Sequence, residues 1–358
     1  MSLLMDGGPV PPRWAEKTAV RAARANSRHD FSEGCVRIAL VNNMPDAALE
    51  DTEIQFMDLL DIASGNLPVR LKLYSLPLVP RAPRGVQHLS SFYHGIDDLW
   101  NSRFDAIIVT GTEPRQPSLR EEPYWHILTD VLDWAESNTA STVLSCLAAH
   151  AGVLHSDGIQ RRPLSDKQFG VFESTSIRGH ELTNNAARPM RFPHSRWNEV
   201  PEDSLTSCGY SVLTKSAQAG VDLFVKQKKQ SLFVHFQGHP DYGARTLLKE
   251  YRRDIKRFLR QERETYPTLP QGYFAPSAAK LLAEFKEIAL AHPWEDQVVF
   301  FPEALVTESL QNTWQSSAVC VYRNWLYYLL AKKNEKSAFA AMAQVGRVQS
   351  TLVDSELA

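Results

Sequence analysis

Short unbroken apolar runs alternate with stretches of helical spacing through the first 145 residues of the chain. Residues 36–41 (VRIALV) are apolar and β-branched, and Asn42 and Asn43 end the run, as for a strand buried on both faces. Residues 47–63 place Ile54, Met57, Leu59 and Leu60 at roughly helical intervals. Strands are predicted again at 69–76, 104–110 (FDAIIVT) and 141–145 (STVLS), with a helix over 121–138 before the last. Strands that alternate with helices and are apolar on both faces predict an α/β fold: a mostly parallel sheet flanked by helices.

The pattern changes from 160 to 235. FGVFES, RPMRFP, YSVLT, VDLFV and QSLFVHF are short strand-like pieces between turn residues, which suggests mixed or antiparallel pairing. A helix is predicted over 243–264, and two prolines in TYPTLPQGYF (265–274) end it. Additional C-terminal helices follow at 277–291 and 318–332. The second is aromatic and suits a homodimer interface as well as a core. Residues 1–34 carry Gly7, Gly8 and three prolines, then little apolar surface, so a flexible N-terminal arm is expected. The expected organisation is that arm, one catalytic domain over 35–333, and a small polar tail over 334–358.

Composition narrows the function. An apolar fraction of 43% and a charged fraction of 22% exclude a mainly disordered chain. A net charge of -2 leaves no bulk positive charge to hold a nucleic acid or an anionic membrane. No apolar run reaches bilayer length, and the N-terminus lacks the basic-then-apolar pattern of a signal peptide, so a cytoplasmic protein is expected. Cys35, Cys146, Cys208 and Cys320 form no CxxC pair and no zinc-like spacing, so neither a metal site nor a disulfide scaffold is expected.

The candidate chemistry lies at two predicted strand ends. Cys146 in STVLSCLAAHAGVL stands between a strand and a helix, where α/β sheets bind ligands. A helix N-terminus favours thiolate there, and the backbone N–H of Leu147 could hold an oxyanion. A buried structural cysteine fits the local pattern equally well. His239 in QGHPDYG ends a second strand. Pro240 biases it toward an extended conformation, and Asp241 can fix its tautomer. His150, four residues after Cys146, competes as the base, although no nearby acid orients it. Ser195 and Arg196 in FPHSRWNEV, Arg253 on the following helix and Lys167 in SDKQFGV are polar candidates that carry little alone.

Together these segments resemble the homoserine O-succinyltransferase family of homoserine O-acyltransferases in methionine biosynthesis. The matching stretches are VNNMP (41–45), EIQFMDLL (53–60), FDAIIVTG (104–111), YWHILTDVLDWAESNTASTVLSC (124–146), DKQFGVFE (166–173), PHSRW (193–197), GHPDY (238–242), EYRRD (250–254) and NWLYYLL (324–330). They run in one order across residues 36–332. The resemblance implies a class I glutamine amidotransferase-like fold and a Cys–His–Glu constellation. Cys146 would be the nucleophile that forms an acyl-thioester, and His239 the proton acceptor. Asp241 stands where the family has Glu. Lys167, Ser195, Arg196 and Arg253 fall on substrate-contacting positions. Where the family usually has lysines after Met44-Pro45, this chain has Asp46 and Ala47, whose backbone N–H can still complete an oxyanion hole. Arg115 matches the position that helps choose the acyl donor, typically Gly for succinyl and Glu for acetyl.

The expected reaction is ping-pong transfer of a succinyl group from succinyl-CoA, as cosubstrate, to the hydroxyl of L-homoserine, with no permanently bound cofactor. The rivals are acetyl-CoA or another hydroxy-amino acid as substrate, a glutamine amidotransferase, and a non-catalytic binding protein on the same scaffold. An amidotransferase elbow prefers glycines two residues either side of the nucleophile, where this chain has Leu144 and Ala148.

Overall fold

The computed structural model describes residues 3–22 and 34–356, with side chains described except at 19–22 and 339–356. The chain opens with strand β1 (Leu3–Met5) and helix α1 (Pro12–Ala22). The βα alternation read from the pattern follows. It comprises β2 (Val36–Val41), α2 (Asp46–Ser64), β3 (Val69–Tyr74), α3 (Pro83–Phe92), α4 (Ile96–Asn101), β4 (Ala106–Val109), α5 (Trp125–Asn138), β5 (Ser141–Ser145) and α6 (Leu147–Asp157). The 160–236 region holds β6 (Arg162–Ser176), β7 (Met190–Glu199), α7 (Glu202–Ser207), β8 (Ser211–Val212), β9 (Thr214–Ser216), β10 (Gly220–Val221), β11 (Leu223–Lys228) and β12 (Ser231–Phe236). Helices α8 (Thr246–Leu259), α9 (Pro276–Ala291), α10 (Glu303–Glu308) and α11 (Gln315–Glu356) complete the chain.

The main sheet has eight strands in the order β1-β3-β2-β4-β5-β12-β11-β8. Pairing is parallel from β1 through β12 and antiparallel from β12 to β8. A four-stranded antiparallel sheet, β10-β9-β6-β7, stands apart from it. The expected mixture of pairings in the middle region holds, except that QSLFVHF forms β12 and joins the parallel set beside β5. That neighbour relation later matters most, because it brings residues some ninety positions apart to one sheet edge.

One face of the main sheet is covered by α2 and α11, whose Phe56, Tyr322, Trp325 and Leu329 are fully enclosed. The other face is covered by α5 and α6. Trp325 Nε1 donates to Ser141 Oγ at 2.9 Å, which ties α11 to the base of β5. The aromatic helix expected at 318–332 thus supplies core, and it runs through the expected tail boundary at 334. A third apolar cluster joins α8 and α9 to Phe169 and Trp314 under the small sheet. No helix among the described residues is long and apolar enough to cross a membrane.

The arm expected over 1–34 is more than a loose terminus where it is described. β1 extends the sheet by pairing with β3, Leu3 is fully buried, and Trp14 packs into the main core. Asp6 meets Arg37 at 3.0 Å. Burial of an aromatic side chain at one end and strand pairing at the other offset the ordering entropy of a short segment. Residues 23–33 lie outside the described part.

Candidate active site

β5 ends at Ser145 and α6 starts at Leu147, so Cys146 alone turns the chain. It does so at φ 52°, ψ −110°, a conformation rare for a side-chain-bearing residue. Strained backbone at a strand-to-helix turn is the geometry of a nucleophile elbow. The Cys146 N–H donates to Phe236 O at 2.8 Å, which fixes the elbow to the end of β12. Gly111, after β4, packs against the other side. A Cβ there would lie 2.6 Å from Leu147 Cβ and 3.0 Å from Leu147 N, so only glycine fits.

The Leu147 N–H points at the Cys146 sulfur, as the oxyanion reading requires. Ala47 lies in the first turn of α2, where helical N–H groups have no intrahelical partner. Among the described residues no hydrogen bond ties it to Cys146, and Gly111 is the residue that packs on Leu147. The thiolate favoured by the helix N-terminus is not the resting form. Burial pushes the Cys146 thiol up to about 12, against the opposing pull of Arg196 and the Leu147 N–H.

His239 follows β12 at the same edge and is buried, with its N–H bonded to Pro193 O at 2.8 Å. Its ring stacks on Tyr242 with centroids 4.1 Å apart. Burial lowers its pKa to about 4, so it is a neutral base at physiological pH. Asp241 Oδ1 stands 3.9 Å from His239 Nδ1, too far for a hydrogen bond, and accepts none from any described residue. The expected orienting bond is therefore not made, as a carboxylate one methylene shorter than Glu allows. Burial raises Asp241 to about 7, with the Ser145 hydroxyl opposing.

A polar cluster forms beside His239. Ser195 Oγ and Tyr242 Oη (2.6 Å) both donate to Glu250. Lys167 Nζ lies 3.6 Å from Glu250 and 2.9 Å from Asp254, and Arg253 reaches the same two carboxylates at 3.6 and 3.0 Å. The expected Lys167, Ser195 and Arg253 thus converge. Glu250, Tyr242 and Asp254 were not singled out. The signal for Glu250 and Asp254 was the spacing of EYRRD, which puts positions 250, 253 and 254 on one helical face.

Arg196 does not join the cluster. Neighbouring residues on a strand face opposite ways, so Arg196 in β7 points away from the side on which Ser195 meets Glu250. It is 4% exposed. Its guanidinium donates to His194 Nδ1 (3.2 Å), Asn198 O (2.7 Å) and Ala219 O. Its charge still reaches Cys146 and lowers the thiol's pKa. His150, the rival base, is buried with Nε2 on Gln237 Oε1 at 3.1 Å and a pKa lowered by burial to about 3. Arg115 is exposed in its loop, where its backbone N–H is held by Glu122 at 2.6 Å.

Four histidines (150, 194, 235 and 239) are buried neutral, all with pKa values depressed chiefly by burial. Each binds a proton near its ordinary value once unfolded, so their contribution to stability is complete above about pH 6.5 and is lost as pH falls. Asp222 and Asp241 are raised by burial, to about 6 and about 7, so the folded state takes up their protons first and they work in the opposite direction. Four histidines against two carboxyls leave the larger proton uptake on the unfolded side, so stability should fall as pH drops below about 6.5. Urea midpoints should fall as pH is lowered from about 6.5 to about 5. His235→Phe removes one of these four buried rings and should flatten the pH dependence.

A profile of sequence relatives decides the lineage. The homoserine O-succinyltransferase profile matches residues 15–336, which contain every site residue described above. The chain belongs to the homoserine O-succinyltransferase family. A member of the family from Rhodopseudomonas palustris is 42% identical over 93% of this chain and 100% of its own length. One from Methylorubrum extorquens is 45% identical over 81% of this chain and 86% of its own. Among solved structures, a glutamine amidotransferase from Thermotoga maritima is similar with a TM-score of 0.42 and 13% identity, covering 82% of this chain and 98% of that one.

Proposed function

We propose that the protein transfers a succinyl group from succinyl-CoA to the hydroxyl of L-homoserine through an acyl-enzyme on Cys146. The observation that carries the mechanism is the Cys146 elbow, strained and pinned by its N–H to the strand that delivers His239. His239 takes the Cys146 proton, and the sulfur attacks the thioester carbonyl. The tetrahedral oxyanion is met by the Leu147 N–H. CoA leaves as the thiol, with the proton returned by His239. Homoserine then enters, its hydroxyl gives a proton to His239, and its oxygen attacks the acyl-thioester. Cys146 departs and recovers the proton.

The Glu250 cluster supports the acceptor. An amino acid presents an ammonium and a carboxylate. Glu250 offers the first an acceptor, and Lys167 and Arg253 offer the second cations. Arg253→Lys should weaken the second half-reaction roughly tenfold, since a point charge cannot reproduce the guanidinium fork. Release of CoA in the absence of homoserine should be unchanged. An equal loss in both half-reactions would move Arg253 into the donor site or the scaffold. For the reaction as a whole, initial rates with both substrates varied should give parallel double-reciprocal lines. Converging lines would mean direct transfer in a ternary complex and no acyl-enzyme.

A further inference from the structure

A cleft of about 310 Å³ opens beside the elbow helix, lined by Ser118, His150, Gln160, Arg161, Asn198 and apolar neighbours. His150 is one turn beyond Cys146 on α6, and Arg161 stands between the end of α6 and the start of β6. Among the described residues no acidic side chain lines the cleft.

We propose that Arg161 receives the terminal carboxylate of the succinyl donor in this cleft, and so sets donor choice. The inference rests on the acyl-enzyme reading given above. Arg161 is half-buried, yet among the described residues no carboxylate pairs with it and no hydrogen bond engages its guanidinium. The acid nearest to it in effect, Glu122, is committed to the backbone N–H groups of Arg115 and Gln116 at 2.6 and 2.8 Å. A partly desolvated guanidinium without a partner is costly, and its fork matches a carboxylate.

Two further observations agree. His150, which lines the cleft, has Nε2 on Gln237 and a buried Nδ1 without a partner among the described residues. The charge of Arg161 feels the Cys146 sulfur, and the cleft it lines runs along the elbow helix that begins at Cys146. A succinyl group carries its carboxylate two methylenes from the thioester. An acetyl group has nothing for Arg161 to hold. Arg115, the position expected to choose the donor, is exposed to water, where pairing with a carboxylate gains little.

The test is CoA release without homoserine, measured for succinyl-CoA, acetyl-CoA and butyryl-CoA. Butyryl matches succinyl in length but ends in methyl. In Arg161→Gln the succinyl-to-butyryl ratio of kcat/KM should fall roughly ten- to a hundred-fold, through succinyl-CoA alone. Arg161→Lys should recover part of it. An unchanged ratio overturns the inference. An equal fall for all three donors, in either variant, also overturns it, since Arg161 would then hold CoA or the fold. A ratio that moves in Arg115→Gln and not in Arg161→Gln returns donor choice to the loop. Failure of the underlying reading looks different: the wild type would release no CoA, or Cys146→Ser would release it as fast.

Discussion

Replacing Cys146 by Ala or Ser should lower acyl transfer by on the order of 10⁴-fold or more, because the covalent route then has no nucleophile of comparable reactivity. The fold should survive. Cys146 is held at φ 52°, ψ −110°, a strained conformation that costs a side-chain-bearing residue about 1–3 kcal/mol and glycine far less. Cys146→Gly should therefore be inactive, with a urea midpoint no lower than that of Cys146→Ala. Such a pairing separates a strained functional residue from a structural one. A Cys146→Ala enzyme with substantial turnover would eliminate the covalent route. The raised thiol pKa adds a second expectation: alkylation of the free enzyme at Cys146 should be slow at neutral pH and should still be accelerating above pH 9. On the proposed mechanism the nucleophile is made by proton transfer to His239 when the donor binds, and it is not stored as thiolate.

The next largest effect belongs to His239. His239→Ala should slow both half-reactions by roughly 10²–10⁴-fold, the usual worth of a positioned general base. The pH dependence assigns its partner. His239 is neutral above about pH 4, so its own ionisation does not limit the rate near neutrality. Asp241 carries a proton below about pH 7 and must lose it to stabilise the imidazolium, so kcat/KM should rise with pH through that value. Asp241→Asn should remove this limb and lower the plateau. Asp241→Glu should keep it and retain activity, since the added methylene can close the 3.9 Å gap to His239 Nδ1. A limb near pH 7 that persists in Asp241→Asn would belong to another group.

The parts of this site that could be read from the sequence were those with a local signature. Apolar β-branched runs mark β2, β4 and β5, and a lone cysteine or His-Pro-Asp after such a run marks a strand end. That β5 and β12 are parallel neighbours has no local signature, because it is set by packing across the whole sheet. Strand β1 is only three residues long, too short for any periodicity to show, so its docking was missed. Arg196 was expected beside Ser195, whereas β7 runs straight through the motif and sends the two side chains opposite ways. Helix α11 outran its expected end because small residues such as Ala are strong helix formers even where they offer no amphipathic stripe. Arg161 belongs to no motif. Its standing comes from a missing partner, which only a three-dimensional inventory reveals.

The acyl-enzyme itself is the most direct test. The protein is mixed with succinyl-CoA in the absence of homoserine, quenched in acid, digested and weighed by mass spectrometry. The peptide containing Cys146 should gain the mass of one succinyl group, with one CoA released per chain, and should lose it when homoserine is added before the quench. A peptide that stays unmodified while the complete reaction turns over, or a label on another residue that homoserine discharges, would contradict the account.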